Sequence, residues 1–170
     1  MQRLKIELNN IKLLNEIKPF KLFMENHQFS FEKLDVWQNA RVLAKNIYLV
    51  TKSFPSDEKY ALTSQMRRAA LSVCANLAEG TTRVSAKDQA HFTTVSFSSM
   101  MELLNHLIIA FDLGYIKEEA LRDFRVQIQP LSVKLSNLKK SQLSRLGGLK
   151  SFFLMIFSYS LYQPLQPLNI

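Results

Sequence analysis

Residues Gln65–Gly80, QMRRAALSVCANLAEG, decide the fold class. With Leu62 just ahead of them, Met66, Ala69, Ala70, Val73 and Leu77 recur at three- and four-residue steps, the spacing that gives an α-helix one face to bury. Gln65, Arg68, Ser72, Asn76 and Glu79 recur at the same steps on another side. These small or hydrogen-bonding groups suit close contact with either a second helix or a second subunit. They do not form a catalytic set.

The same period continues on both sides. Leu34, Trp37, Ala40, Ala44, Ile47 or Tyr48, Thr51 and Phe54 make a stripe that stops at Phe54-Pro55, with Ser30 as the expected cap of the first helix. The second helix is predicted from about Lys59 to Glu79, with Gly80 as a left-handed C-cap. Ser85-Ala86-Lys87-Asp88 has the form of a capping box and starts a third helix over about Ala86 to Leu113. After Gly114, the acids Glu118, Glu119 and Asp123 favour a fourth helix start, and Leu121, Phe124, Ile128, Leu131, Leu135, Leu138 and Gln142 supply its packing seam. Pro130 predicts a bend or break near Gln129, and Gly147-Gly148 is expected to close the ordered region.

The third helix has two apolar arcs. Phe92, Val95, Ser96, Ser99, Leu103, His106, Ala110 and Leu113 make the expected core face. Phe97, Met100, Met101, Leu104, Ile108 and Phe111 make another, turned by roughly 130°. A helix apolar on most sides is buried on most sides, so the second arc predicts self-association. Interface candidates are Phe97, Met101, Leu104, Ile108 and Phe111, with Arg68, Asn76 and Glu79 from the polar stripe. Glu79 is read as the partner of a basic group, Arg68 of the same stripe or one from another subunit.

A chain of 170 residues, 47% hydrophobic and with four glycines, fits one all-α domain rather than a set of short strands. Its divisions are an N-terminal extension at 1–29, a helical domain at 30–146 and a tail at 147–170. The extension carries a helical stripe, Leu4, Leu8, Ile11, Leu14 or Asn15, and Ile17, up to Lys18-Pro19. The tail holds FFLMIFSYSL at Phe152 to Leu161, which falls well short of the roughly 20 residues of a membrane-spanning helix. No membrane association is expected. The start, MQRLKIELNNIKLL, lacks the apolar run of a secretory signal, and Cys74, alone in the chain, points to a reducing, cytoplasmic setting.

Catalytic chemistry finds little support. Cys74 lies between Val73 and Ala75 with no close His or Lys, so it reads as a small core residue rather than a nucleophile. His91 and His106 are fifteen residues apart, roughly 22 Å along a helix, too far to share a metal. Glu102 and His106 are one turn apart and read as a polar pair; the further glutamates and second Glu-x-x-His of a di-iron site are absent. No cofactor, metal or catalytic residue is expected.

The formal charge of +8, from 22 Lys plus Arg against 14 Asp plus Glu, makes nucleic acid a physically plausible partner. Between Phe31 and Leu146 the excess is +5, so about a third of it sits in the end segments. Arg67, Arg83 and Lys87 are candidate phosphate contacts, with Lys139, Lys140 and Arg145 as a second cluster. Aromatic residues fall mostly on packing stripes, so stacking on bases is not indicated.

An ordered set of residues also carries a family resemblance. Phe31-x-x-Leu34-x-Val36-Trp37-x-x-Ala40, Tyr48, Phe54-Pro55 with Glu58, Leu62-x-x-Gln65-x-x-Arg68-Ala69, Asn76-x-Ala78-Glu79-Gly80, Arg83, Phe92, Ser99-x-x-Glu102 and Leu113-Gly114-Tyr115 resemble the four-helix bundle proteins encoded in 23S ribosomal RNA intervening sequences, the S23 ribosomal protein family. The likeness spans about Phe31 to Leu143. It implies an up-down-up-down antiparallel bundle without enzymatic activity. The family is in turn similar to accessory variability proteins of diversity-generating retroelements, which implies a homopentamer with basic surfaces and RNA or a reverse-transcriptase-like protein as partner. Ser98, where glycine is usual, and Pro130 depart from the pattern. The expected function is a noncatalytic homo-oligomeric scaffold that binds RNA or a ribonucleoprotein; the rival is a structural or regulatory protein-protein module.

Overall fold

A computed structural model describes residues 28–161, with side chains as far as Leu146. The expectations for residues 1–27 and 162–170 lie outside the described residues. Four α-helices, α1 (Asp35–Val50), α2 (Leu62–Thr81), α3 (Ala86–Asp112) and α4 (Glu118–Leu161), make an all-α four-helix bundle with no strand among the described residues.

Paired contacts fix the directions. Between α2 and α3, Arg68 meets Glu102 and Ser72 meets Ser99; between α3 and α4, Gln89 meets Arg145 and Thr93 meets Gln142. In each case one number rises as the other falls, so neighbours run antiparallel. Asn46 bonds Gln127 at 2.8 Å, and Asp35 pairs with Lys134 at 2.5 Å, closing α1 against α4. The helices pack in the cyclic order α1, α2, α3, α4, most closely along α2–α3 and α3–α4 and least along α1–α4.

Most of the apolar periodicity becomes core. Ala40, Ala44, Ile47, Met66, Val73, Leu77, Leu103, Ala110, Phe124, Ile128, Leu131 and Leu135 are buried together. Ile47 rather than Tyr48 takes the α1 position; Tyr48 is exposed. On α3 the two-arc division shifts. Met100 and Leu107 are fully buried in the core, whereas Leu113, expected inside, is 53% exposed. Phe97, Met101, Leu104 and Ile108 are half-buried and pack on the same core. An arc assigned on period alone treats every apolar position alike, but α4 reaches round α3 and covers part of the second arc.

Several predicted boundaries move. Ser30 opens a 3-10 turn, Ser30–Lys33, and α1 starts at Asp35 without a side-chain cap. There the Glu32 carboxylate accepts the Phe29 N–H at 3.2 Å, while Phe31 packs edge-on against Trp37 at 4.9 Å. Lys59 lies in another 3-10 turn, Ser56–Tyr60, so α2 begins at Leu62, whose N–H donates to the Glu58 carboxylate at 3.0 Å. Gly80 is not a left-handed cap. It is buried inside α2, where a Cβ would stand 3.2 Å from the Phe92 Cβ, so its lack of a side chain lets α2 and α3 approach. The one positive-φ glycine among the described residues is Gly114, at φ 74, where α3 ends.

Ser85 caps α3 as expected, its hydroxyl accepting the Asp88 N–H at 3.0 Å; the Asp88 carboxylate accepts from that hydroxyl at 2.7 Å, so half of the expected box is formed. Pro130 does not break α4, which runs unbroken for 44 residues. Pro130 is exposed, and the carbonyl it leaves without a helix partner belongs to Val126, which is exposed as well, on the side of α4 away from the core. The backbone of α4 also passes through Gly147-Gly148 to Leu161, so the glycine pair does not end the helix. Ser98 is exposed and bonds Thr94 within its own helix, away from α2. It does not loosen the α2–α3 contact. By length and composition α3 is apolar enough to cross a membrane; in the bundle it packs between α2 and α4.

Candidate functional site

The polar stripe of α2 finds its partners in the same chain. The Ser72 and Ser99 hydroxyls meet at 2.8 Å, Asn76 donates to the Ser72 carbonyl at 2.8 Å, and Ser96 donates to the Val73 carbonyl at 3.0 Å. Arg68 pairs with Glu102 and is held by Gln65, its Nε donating to the Gln65 side-chain Oε1 at 3.0 Å. Glu79 pairs with Arg83, one turn along the chain, and not with Arg68. The reason is distance: Arg68 lies eleven residues away, roughly 16 Å along the helix. These interactions join two helices and leave Arg68, Asn76 and Glu79 occupied within the subunit. His106 Nε2 lies 3.7 Å from the Glu102 carboxylate, and both ring nitrogens are buried without a hydrogen bond.

A second knot closes the opposite end. The Glu58 carboxylate accepts from the Leu62 N–H at 3.0 Å and from the Tyr115 hydroxyl at 3.0 Å, while Tyr115 packs against Phe54 with centroids 5.4 Å apart. The hydrogen bond to Glu58, with the negative charge beside it, raises the Tyr115 pKa. Glu58, Phe54, Gly114 and Tyr115, scattered in the sequence, therefore form one structural clasp between the two turns.

The basic candidates separate. Arg83 and Arg145 converge on Gln89, whose amide donates to the Arg83 carbonyl at 2.8 Å and whose side-chain oxygen accepts from Arg145 at 3.2 Å. The return of α4 thus brings Lys139, Lys140 and Arg145 to the end of the bundle that holds Arg83 and Lys87. Arg83 is partly committed: besides Glu79, its guanidinium lies 4.5 Å from the Phe92 ring centroid. Lys87 and Lys140 are exposed and make no ion pair among the described residues. Lys139 is half-buried in the α3–α4 groove. Arg67 belongs elsewhere: it donates to the Thr51 hydroxyl at 2.9 Å and lies 4.9 Å from the Tyr48 ring centroid, near the far end of α1. Neither the charge count nor the local spacing reveals that role.

Sequence reasoning missed one surface altogether. Asn46–Gln127 and Asp35–Lys134 mark the α1–α4 seam. At 100° per residue, Val42 and Leu49 of α1 lie roughly 40–60° from Asn46, and Val126 and Val133 of α4 lie roughly 100° from Gln127 and Lys134, towards the outer surface; all four are more than half exposed. The i, i+7 recurrence of each pair was the available signal.

Among the described residues no three His, Cys, Asp or Glu side chains gather as a metal-binding group. His27 lies outside them. Burial pushes the Cys74 thiol up to about 11, against a smaller opposing effect of the Arg41 charge. At pH 8 the thiolate is therefore scarce, and iodoacetamide is expected to label native Cys74 at least tenfold more slowly than the urea-unfolded chain. Equal labelling rates would overturn the assignment of Cys74 as a half-buried thiol shielded by the core.

The model of the 23S rRNA-intervening sequence proteins matches residues 32–137, most of the bundle. The chain belongs to that family. Among solved structures, this family member is similar to a protein of unknown function from the S23 ribosomal protein family of Bacteroides thetaiotaomicron. The two are 19% identical with a TM-score of 0.58, over 62% of this chain and 95% of the other. That likeness establishes the shared fold. No curated protein matches. The residues that carry the family resemblance are here joined in structural contacts: the Glu58–Tyr115 clasp, the Arg68–Glu102 pair, and Gly80 and Arg83 against Phe92.

Proposed function

We propose that this protein is a noncatalytic, self-associating helical scaffold whose basic end contacts RNA through its phosphates. The observation that carries the reading is the convergence of Arg83, Lys87, Lys139, Lys140 and Arg145, from segments some fifty residues apart, at one end of the bundle. Lys87 and Lys140 are free to neutralise phosphates, and Phe92, covered by Arg83, offers no open ring for base stacking. The expected ligand is structured RNA recognised by its backbone rather than by its sequence. Self-association is supported by the exposed valines and leucine along α1–α4; the family resemblance implies five subunits, about five times the 19.7 kDa of one chain.

Fluorescence anisotropy with a hairpin RNA of about 20 base pairs tests the reading. Four neutralised phosphates per binding event predict a loss of affinity of about 100-fold between 50 and 200 mM salt. Lys87→Glu with Lys140→Glu is expected to weaken binding more than tenfold while leaving assembly mass unchanged. Negligible binding at 50 mM salt would overturn the RNA reading and leave a protein-protein module.

A further inference from the structure

The outer groove between α3 and α4 has a floor and a wall of different chemistry. Its floor is apolar: Phe97, Met101, Leu104 and Ile108 are half-buried and Phe111 is 37% exposed. From Phe97 to Phe111 the floor is about 21 Å long, four helical turns. Each end opens into a cavity. One, of about 170 Å³, is lined by Thr93, Thr94, Phe97, Leu135, Ser136 and Lys139; the other, of about 280 Å³, by Phe111, Glu118, Leu121, Arg122 and Arg125. Each has room for a large apolar side chain.

The α4 wall is cationic. Glu118, its one acid beside the cavities, faces Arg122 at 3.6 Å, while Arg125 and Lys139 have no ion-pair partner among the described residues. The α3 lip is mostly neutral, with Thr94 and Asn105, and carries one acid, Asp112, at the end of the helix. We propose that this groove docks an amphipathic helix of a partner protein, its apolar stripe set on the α3 floor and a flank of glutamates or aspartates facing Arg125 and Lys139. Two antiparallel helices leave a trough that a third helix fills, and anchors spaced at i, i+3, i+4 and i+7 match it. A second copy of this chain is a poor occupant, because its bundle carries a net +5 toward a cationic wall. Phosphate-rich nucleic acid is also a poor fit, because the floor offers it no donor. The proposal shares Lys139 with the basic end of the RNA reading, but that reading is tested at Lys87 and Lys140, so each can fail without the other.

The test uses the full chain and two fifteen-residue peptides with leucines at positions 1, 4, 8, 11 and 15. One carries glutamates along a single flank and the other lysines at the same places. Fluorescence polarisation at 50 mM salt is expected to give at least tenfold tighter binding for the glutamate peptide. Arg125→Glu with Lys139→Glu should abolish that preference or reverse it toward the lysine peptide, with the thermal midpoint unchanged. Equal affinity for the two peptides, absence of binding, or a glutamate preference that survives the charge reversal would each overturn the proposal.

Discussion

Gly80→Leu is expected to destabilise the bundle by about 3 kcal/mol and lower its thermal midpoint by about 10 °C, the upper range for overpacking a closed contact. A Cβ at this position would already stand 3.2 Å from the Phe92 Cβ and 3.7 Å from the Gln89 carbonyl oxygen. The three further carbons of leucine have no room between α2 and α3, and Phe92 cannot withdraw without disturbing Arg83 above its ring. Gly80→Ala separates this account from a backbone-conformation account. Its single methyl strains the contact, but alanine favours the helix by about 1 kcal/mol over glycine, so the net change stays within about 1 kcal/mol. A left-handed cap would predict the opposite order, with alanine itself clearly harmful. Thermal denaturation followed by circular dichroism decides between them.

The second large effect concerns assembly. Leu49→Glu with Val126→Glu is expected to raise the self-association constant Kd at least 100-fold without loss of helix. In one subunit these side chains are 51% and 66% exposed, so carboxylates there remain hydrated. Buried in an apolar contact, each would cost several kcal/mol. Leu104→Glu should behave differently. Leu104 is half-buried against the core, so its replacement lowers stability as well as altering any contact made by the α3 arc. An unchanged assembly mass for the α1–α4 variant, measured by sedimentation, would move the interface away from that face.

What was legible in the sequence was periodic and local. The seam from Leu121 to Gln142, the Ser85 cap and the limits of α3 follow from spacing and neighbouring residues, and they hold. The misreadings fall where one residue type serves two physical ends. Glycine lacks a Cβ whether it turns the chain, as Gly114 does, or admits another helix, as Gly80 does; only the position of Phe92 distinguishes the cases. Pro130 reads as a breaker because local spacing does not reveal that it lies on the exposed side of α4. Charge was likewise visible only in part. Two clusters stood out, but their meeting depends on the antiparallel return of α4, and the contact of Arg67 with Thr51 removes it from them. The α1–α4 face escaped because period records that apolar residues recur, not how much of them a neighbouring helix covers.

Light scattering of the purified full chain, at micromolar concentration and 150 mM salt, tests the scaffold account most directly. The account predicts a discrete assembly several times the 19.7 kDa mass of one chain, with five subunits as the expected number. A particle that remains at 19.7 kDa across the concentration range would contradict it.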